Sequence, residues 1–282
     1  MAIERNCATL MLKARREGVT FGRSLMLGHQ GLRLSRTEYD RFLHLAGAQA
    51  ETPMPAYADG LFRALGATQV DVMDFSDYEG ANLLHDLNQP VPDVHRAGFD
   101  VVVDGGTLEH VFNFPVAIRN CMEMVRPGGR FFSATIPNNW CGHGFYQFSP
   151  ELFFRVLSAE NGFRVEGMYL AELDASRWWS IRDPAEARSR VELVNDRPVF
   201  LLVQAVRESV VPIFSRTPQQ SDYVAAWTGG QGGGAGAAWK ARLRKLPLFR
   251  TLDQLHRQRR ERRWASVDNT DLYTPFDPGF RL

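Results

Sequence analysis

Residues 99–111, FDVVVDGGTLEHV, decide the fold together with RPGGRFF at 126–132. Phe99 to Asp104 is a valine run closed by a glycine pair, a composition typical of a strand buried on both faces of a parallel sheet. Apolar residues at helical intervals over 111–125 predict a helix, and residues 130–136 predict the next strand. A strand, a helix and a second strand in this order indicate a crossover between parallel strands, and hence an α/β fold.

The rest of the first 210 residues alternates in the same way. Ser35 and Glu38 have the spacing of a capping box, which predicts that a helix begins directly after Ser35. The elements predicted from apolar spacing, glycines and prolines are helices over 8–17, 36–47, 57–65 and 149–159 and strands over 24–28, 69–75, 82–85, 165–173 and 199–206. The last two strands are expected to pair antiparallel at one edge. We therefore predict a Rossmann-like, doubly wound, mostly parallel α/β sheet with an antiparallel edge strand.

Composition divides the chain into three regions. These are an α/β domain over 1–210, a linker over 211–238 that is glycine-rich at 229–238, and a basic, partly helical C-terminal tail over 239–282. Between residues 239 and 263, ten lysines and arginines are opposed only by Asp253 and Glu261. Such a segment can contact an anionic membrane surface or another polyanion. It can equally be a solvated helix that packs a few leucines on the body, and both interpretations stay open.

The overall composition excludes several classes of protein. With 44% hydrophobic and 23% charged residues the chain can bury a full core, and its formal net charge of +1 gives no global attraction to nucleic acid. Three cysteines are an odd number, which argues against a disulfide framework and for a reducing compartment. Charges within the first 16 residues interrupt any signal sequence, and no apolar run approaches the roughly 20 residues that span a bilayer. We expect a cytoplasmic protein with no specific nucleic-acid partner.

The segments quoted first, with the loop and helix that follow them, resemble the later half of class I S-adenosylmethionine-dependent methyltransferases, and are similar to type 11. The likeness runs from about residue 25 to 207 and is specific between about 99 and 163. In that family the fourth strand ends in an acidic or polar residue, a Leu-Glu-His triplet follows, and a Pro-Gly-Gly turn precedes the fifth strand. The matching residues here are Asp104, Leu108, Glu109, His110, Pro127, Gly128 and Gly129. The resemblance implies S-adenosyl-L-methionine as cofactor and methyl transfer as activity.

Acidic residues at strand ends are the first candidates for binding this cofactor. Ligands of open parallel sheets bind beyond the carboxyl ends of the strands, where carboxylates can accept hydrogen bonds from ribose hydroxyls or the adenine amine. In a family-like arrangement Asp74 would bind the ribose, and Asp86 with Leu87 would flank the adenine. The predicted cofactor-binding residues are Gly28, His29, Gln30, Gly31, Asp74, Phe75, Asp86, Leu87, Asp104, Gly105 and Thr107. Asp74 and Asp86 can equally be turn residues that cap their own backbone.

The first glycine-rich loop departs from the family's pattern. Methyltransferases usually have an acidic residue and then Gly-x-Gly-x-Gly after the first strand, because absent side chains let the backbone approach the amino-acid part of the cofactor. Here LMLGHQGLRL places Met26 at the acidic position and Gln30 at a glycine position, while Gly28 and Gly31 remain. Close approach at Gln30 would be obstructed or replaced by a side-chain contact. A degenerate cofactor site is therefore an open alternative.

Substrate and methyl donor are expected to meet at the loop NNWCGHGFYQFS, residues 138–149. Methyl transfer needs the acceptor in line with the sulfonium methyl, so positioning supplies much of the rate, and a base helps when the acceptor carries a proton. His143 is the first candidate for that base and His110 the second. Alternatively, His143 is only a polar residue on the surface of its loop, and His110 is a residue that packs its helix. The predicted substrate-binding residues are Asn139, Trp140, Phe145 and Tyr146. No metal site is expected, because Cys141 and His143 lack zinc-ligand spacing and no second pair complements them.

The sequence thus predicts an O- or N-methyltransferase that uses S-adenosylmethionine and acts on a small molecule or a sugar-containing compound such as a surface-glycan precursor. One alternative is a methyltransferase-like binding protein without turnover, which the LGHQGL segment suggests. The other is a scaffold or membrane-surface protein that acts through its basic tail. Neither the acceptor atom nor the oligomeric state follows from the residues.

Overall fold

The computed structural model describes residues 2–228 and 265–282. The strands are β1 (Ala2–Glu4), β2 (Arg23–Leu27), β3 (Gly31–Arg33), β4 (Gln69–Asp74), β5 (Leu83–Leu84), β6 (Phe99–Asp104), β7 (Val125–Thr135), β8 (Phe163–Glu172), β9 (Trp178–Ile181), β10 (Val199–Arg207) and β11 (Tyr273–Phe276). The α-helices are α1 (Arg5–Arg16), α2 (Arg36–Ala46), α3 (Asp59–Ala64), α4 (Phe114–Met124), α5 (Pro150–Val156), α6 (Pro184–Ala187) and α7 (Ser221–Thr228). None of the helices in these two ranges has both the length and the apolar character that crossing a bilayer requires.

Nine strands form the main sheet, in the order β11-β9-β8-β10-β7-β6-β2-β4-β5. The five strands from β5 to β7 in this order are parallel to one another. The chain runs outward from β2 to β4 and β5, and then returns to β6 on the other side of β2, so the strand order reverses at β2. The predicted doubly wound, mostly parallel sheet is confirmed.

The central strand β6 is buried on both faces, as its valine run predicts. Val102 packs with Ile118 and other residues of α4 on one face of the sheet. Val101 and Val103 pack on the opposite face with side chains of α1, α2 and α3. A strand between two helical layers needs apolar side chains in both directions, which explains the uninterrupted valines.

The three cysteines are free: Cys7 and Cys121 are buried, and Cys141 is exposed.

The local signals for helices and turns are mostly borne out, with shifted boundaries. The capping box forms, because the Glu38 backbone N–H donates to Ser35 Oγ and the Glu38 side chain accepts from the Ser35 backbone. The helix expected over 111–125 begins later, at Phe114, with Pro115 in its first turn. The predicted turn before β7 lies within the strand, where β7 pairs irregularly with β6 around Phe99 and Val101.

The antiparallel part of the sheet is larger than the sequence indicates. β10 pairs antiparallel with β7 and β8, as expected for the last two predicted strands. They do not form the edge, however, because β9 pairs with β8 and β11 pairs with β9. Residues 265–282 of the predicted tail therefore include a strand of the main sheet. Phe276 of β11 packs its ring 4.5 Å from that of Tyr169, and this aromatic contact fixes the strand on the sheet.

The basic segment over 239–263 lies outside the described residues. Its predicted contact with a membrane or polyanion, and the glycine-rich linker over 229–238, therefore stay predictions. The described part of the predicted linker includes the helix α7, whose Ser221 donates to the Glu151 carboxylate of α5 through its backbone N–H and its hydroxyl.

Helix α1 begins at Arg5 because Glu4 caps it. The Glu4 carboxylate accepts the backbone N–H groups of Asn6 and Cys7, both at 2.8 Å. Burial raises the pKa of Glu4 to about 7 in spite of these two bonds. The folded protein thus holds the Glu4 proton more tightly than the unfolded chain does. Ionising this carboxyl as the pH rises from about 5 to 8 therefore lowers the stability of the fold.

We expect Glu4→Gln to remove this pH-dependent loss while keeping an oxygen that can cap the helix. The free energy of unfolding of the variant, relative to the parent protein, should rise by about 1–2 kcal/mol between pH 5 and pH 8. Urea unfolding at each pH measures this difference. Glu17→Gln at the exposed end of α1 is the control, and stability curves that stay parallel for Glu4→Gln and the parent would contradict the assignment.

Candidate functional site

The carboxyl ends of β4, β2 and β6 lie side by side, because these strands are neighbours in the sheet. Asp74 ends β4, Gly28 follows β2, and Asp104 ends β6. Asp86 follows β5 on the outer side of β4. The strand order reverses at β2, and open α/β sheets bind their ligands at such a point. The predicted cofactor residues thus share one edge of the sheet, but their side chains have different surroundings.

The side chain of Asp104 is fully buried and holds the turn that follows β6. One carboxylate oxygen accepts the backbone N–H groups of Thr107 at 2.8 Å and Leu108 at 3.1 Å. The other oxygen accepts the Ser133 hydroxyl of β7 at 2.7 Å. Burial raises the pKa of Asp104 against these hydrogen bonds. Its carboxyl therefore serves the fold, and the predicted role of Asp104 in cofactor binding stays a prediction.

Asp74 and Asp86 each use one carboxylate oxygen for a local backbone bond. Asp74 Oδ1 accepts the N–H of Phe75 at 2.6 Å, and Asp86 Oδ1 accepts the backbone and side-chain N–H groups of Asn88 at 2.9 and 2.8 Å. The bonds from Asn88 lower the pKa of Asp86. Both carboxyls remain partly accessible, and the Phe75 ring beside Asp74 is 76% exposed. Both aspartates thus cap their own turns, and both carboxyl groups remain accessible to a ligand.

Gln30 fills the space between the ends of β2 and β6. Its side chain is fully buried, and Nε2 donates to the Leu27 carbonyl oxygen at 2.5 Å and lies 3.4 Å from Thr107 Oγ1. A Cβ placed on Gly105 would lie 2.5 Å from Gln30 Oε1 and 3.3 Å from a methyl carbon of Ile3. Within residues 2–228 and 265–282, Gln30 Oε1 has no hydrogen-bond partner. The Gln30 side chain therefore occupies the space beside Gly105, and whether it contacts or obstructs a cofactor stays a prediction.

The neighbouring residues of this loop are held by other parts of the chain. Gly28 has a φ of +70°, and its N–H donates to the Met73 carbonyl oxygen of β4 at 2.7 Å. His29 stacks on Tyr57 with ring centroids 3.7 Å apart, and its Nε2 lies 2.8 Å from Asp59 Oδ2. Gly31 begins β3, which pairs with β1 in a separate two-stranded sheet. Tertiary contacts thus constrain the loop on both sides of Gln30.

A second group of polar side chains lies beyond the carboxyl ends of β6 and β7. Glu109 and His110 belong to a 3₁₀ turn over Leu108–His110, and His143 belongs to the loop after β7. His143 Nε2 lies 3.7 Å from Glu109 Oε1, and the rings of His110 and His143 are 4.9 Å apart. The structure therefore brings together the two predicted catalytic histidines and a carboxyl group.

Glu109 is 1% exposed, and its environment disfavours the ionised form. Burial, followed by the nearby Asp104 carboxyl, raises the pKa of Glu109 to about 8, against a hydrogen bond from Thr135 Oγ1 at 3.2 Å. Burial also lowers the pKa values of His110 and His143, and for His110 the second cause is His143 itself. Both imidazoles are thus biased toward the neutral form, which is the form that accepts a proton.

The loop over 138–149, which contains His143, is held by hydrogen bonds to two other segments of the chain. Asn139 Nδ2 donates to Asn195 Oδ1 at 2.9 Å, and the Tyr146 hydroxyl donates to the Phe112 carbonyl oxygen at 2.7 Å. The Trp140 ring meets that of His143 edge-on at 5.1 Å. The Phe145 ring is exposed and contacts the exposed ring of Phe112. Of the four predicted substrate-binding residues, Trp140 therefore contacts His143, and Tyr146 packs against the core.

A cleft of about 790 Å³ lies at the same edge of the sheet, beyond β8 and β10. Glu172, Arg177 and Trp179 line one side of it, and residues 193–199 line the other. The bond from Asn139 to Asn195 joins the loop over 138–149 to a wall of this cleft. The sequence analysis did not find the cleft, because its walls come from segments that are distant along the chain.

Sequence reasoning also missed Glu109 as a site residue. The triplet Leu108–His110 was read as a family marker, and only its histidine was assigned a role. The available signal was an acidic residue directly before a candidate base, in a segment that otherwise packs into the core. The sequence gives no signal that Ile3 lies beside Gly105, since this contact depends on the pairing of β1 with β3.

Comparisons with known proteins return solved structures only. No protein-family profile and no curated protein sequence matches the chain. The similar structures include the 1,6-didemethyltoxoflavin-N1-methyltransferase of Burkholderia thailandensis with bound 1,6-didemethyltoxoflavin and S-adenosylhomocysteine, at 15% identity, 72% coverage of this chain, 77% of that chain and a TM-score of 0.38. The N-methyltransferase NodS of Bradyrhizobium japonicum WM9 is 13% identical over 72% of this chain and 96% of that chain, with a TM-score of 0.38. An S-adenosylmethionine-dependent methyltransferase of Mesorhizobium loti is 19% identical over 69% and 96%, with a TM-score of 0.39.

These identities and TM-scores are low, and the fold is assigned from strand order instead. Five parallel strands run in the order β5-β4-β2-β6-β7, and β10 is inserted antiparallel between β7 and β8. β8 therefore runs parallel to the first five, and the strand order reverses at β2. By strand order and strand direction, the chain has a Rossmann-like, doubly wound α/β fold.

Proposed function

We propose that this chain is a methyltransferase that uses S-adenosylmethionine and acts on a small molecule. The observation that carries the proposal is an accessible carboxyl, Asp74, at the end of β4, directly beside the strand at which the sheet order reverses. Ligands of open α/β sheets bind at this position. The cofactor, when bound, supplies an electrophilic methyl group.

The nucleoside half of the cofactor fits the residues at β4 and β5. A carboxylate offers about four acceptor positions. Asp74 accepts the Phe75 N–H with Oδ1, and it can still accept a hydrogen bond from a ribose hydroxyl. The exposed Phe75 ring offers an apolar surface beside it, and Asp86 with the buried Leu87 can flank the adenine. We therefore assign nucleoside binding to Asp74, Phe75, Asp86 and Leu87.

The amino-acid half of the cofactor does not fit in the same way. Gln30, Thr107 and Ile3 are buried around Gly105, where the backbone of the family's glycine loop would approach that half. Binding there requires the Gln30 side chain to move. The unpartnered Gln30 Oε1 favours such a movement, because an unsatisfied buried acceptor destabilises its position by about 1–3 kcal/mol. A donor on the ligand would satisfy this oxygen.

The acceptor is proposed to bind between His143 and the cleft beyond β8. The cleft carries the carboxylates of Glu172, Asp174 and Asp196 among its polar walls, which suits a hydroxylated molecule such as a sugar-containing compound. Neutral His143 is placed to accept a proton from an acceptor oxygen or nitrogen, with His110 beside it. A cytoplasmic location remains part of this proposal.

The second candidate is a methyltransferase-like binding protein without turnover. Buried Gln30 favours it, because a side chain fixed at the switch point leaves the nucleoside site intact while it blocks the position of the reacting group. The third possibility, a scaffold that acts through the basic tail, concerns residues 239–263, which lie outside the described part of the chain.

Substitution of Asp74 tests the nucleoside assignment. Asp74→Asn should weaken binding of S-adenosylmethionine or S-adenosylhomocysteine about tenfold, because the amide replaces a charged acceptor that faces the ribose. Isothermal titration calorimetry on the full chain measures the affinity. The control is Asp93→Asn, which alters an exposed carboxyl paired with Arg96 and should leave the affinity unchanged. If the parent protein binds neither compound, the proposed function is wrong.

Substitution of Gln30 separates the enzyme from the binding protein. Gln30→Gly should tighten cofactor binding on the order of tenfold, since it empties the space beside Gly105. Gln219→Gly, in an exposed loop, is the control for the general effect of a new glycine. Labelled cofactor incubated with candidate metabolites then reports turnover. Methylated product from the parent protein supports the enzyme, whereas tighter binding by the variant without product from either protein supports the binding protein.

A further inference from the structure

Glu109, His110 and His143 each direct one ligating atom into a common space. These atoms all lie within 4.8 Å of one another. Two imidazole nitrogens and one carboxylate oxygen form a ligand set that binds divalent ions of the first transition series. We propose that these three side chains bind such an ion. The sequence analysis does not predict this site.

The backbone, and not chance contact of side chains, brings His143 to Glu109. The N–H groups of Phe145 and Tyr146 donate to the Glu109 carbonyl oxygen at 2.7 and 3.3 Å. Gly144 has a φ of +68°, and a Cβ at this position would lie 2.7 Å from the same oxygen. A residue without a side chain is therefore needed next to His143, and the loop after β7 is fixed against the 3₁₀ turn after β6.

Glu109 is a buried carboxyl, and no lysine or arginine among the described residues forms an ion pair with it. The Asp104 carboxyl disfavours its ionisation further. A buried carboxylate needs a cation or several donors to remain ionised. Thr135 supplies one donor to Oε2, and Oε1 faces His143 at 3.7 Å, beyond hydrogen-bond distance. An ion between Oε1 and the two imidazoles would supply the missing positive charge.

The distances are close to those of a bound site. Ligand atoms that each lie about 2.1 Å from one ion are separated by about 3.0–3.5 Å. The Glu109–His143 pair is already near this range. The remaining adjustment falls on His110, which is exposed and can rotate without displacing the core. Since His110 and His143 are both accessible to solvent, the ion would keep open positions for water or for an acceptor oxygen.

The ligand set selects the kind of ion. Ca²⁺ and Mg²⁺ prefer oxygen ligands, whereas imidazole suits zinc, cobalt, iron and nickel. An ion at this place would occupy Nε2 of His143, which would then no longer accept a proton from the acceptor. The inference does not depend on methyl transfer, because the three ligands come from β6 and β7 segments and none contacts Gln30 or Asp74 among the described residues.

The test is titration of the untagged full chain with Co²⁺, whose visible absorption bands report coordination by nitrogen ligands. We expect saturable binding of one ion per chain, with bands that excess Zn²⁺ removes and excess Mg²⁺ leaves unchanged. His143→Asn and Glu109→Gln should each weaken Co²⁺ binding on the order of tenfold or more. His44→Asn, which alters an exposed histidine on α2, should bind Co²⁺ as the parent does.

His143 lies in a loop, so His143→Asn tests the proposal even where Glu109→Gln perturbs the core, and circular dichroism confirms that each variant is folded. Absence of saturable Co²⁺ binding by the parent protein would overturn the proposal. Equal binding by the parent and His143→Asn would overturn it too, because the ion would then be bound elsewhere. Titration with S-adenosylmethionine in the same samples is read separately, so a metal-free methyltransferase and a metal-binding protein without cofactor are distinguished.

Discussion

The buried carboxyl of Asp104 is the constraint on which the candidate site depends. It joins the end of β6 to the turn over 104–108 through two backbone N–H groups, and to β7 through the Ser133 hydroxyl. Thr107, which this turn positions, donates from Oγ1 to the Leu27 carbonyl oxygen at 2.6 Å and so ties the turn to β2 as well. Three neighbouring strand ends are thereby fixed around one carboxylate. This turn therefore positions Glu109 and His110, which directly follow it.

The same carboxyl also contributes to the electrostatics of the site, after burial. Asp104 and Glu109 are both buried, and two nearby carboxyls disfavour each other's ionisation. The Asp104 carboxylate accepts the Ser133 hydroxyl and the backbone N–H groups of Thr107 and Leu108, whereas the Glu109 carboxyl accepts the Thr135 hydroxyl. Burial and the nearby Asp104 carboxyl together raise the pKa of Glu109 to about 8. A group that is neutral without a partner and ionised with one is suited to respond to a cation.

The sequence predicts most of the fold because its decisive signals are local. The valines of β6, the capping box at Ser35 and the apolar spacing of α4 each act within one element. The edge strand β11 and the burial of Gln30 were not predictable in this way, since both depend on contacts between distant segments such as Phe276 with Tyr169. The proximity of Glu109, His110 and His143 was not predictable for the same reason. Their side chains come from two segments that the Glu109 carbonyl oxygen joins, and the spacing of residues along one loop does not reveal such a contact.

Gln30 separates two regions of the site that need not act together. On one side, Asp74 and Asp86 follow β4 and β5 and remain partly accessible. On the other side, Glu109, His110 and His143 follow β6 and β7. The Gln30 amide lies between the two regions against Leu27 and Thr107, and its Oε1 has no hydrogen-bond partner in the part of the chain that the structure describes. A ligand that spans both regions must displace this side chain, whereas a nucleoside or a metal ion can bind its own region with Gln30 in place. Under the proposed function and the proposed metal site, the position of this one side chain decides whether the chain has two independent binding sites or one continuous active site.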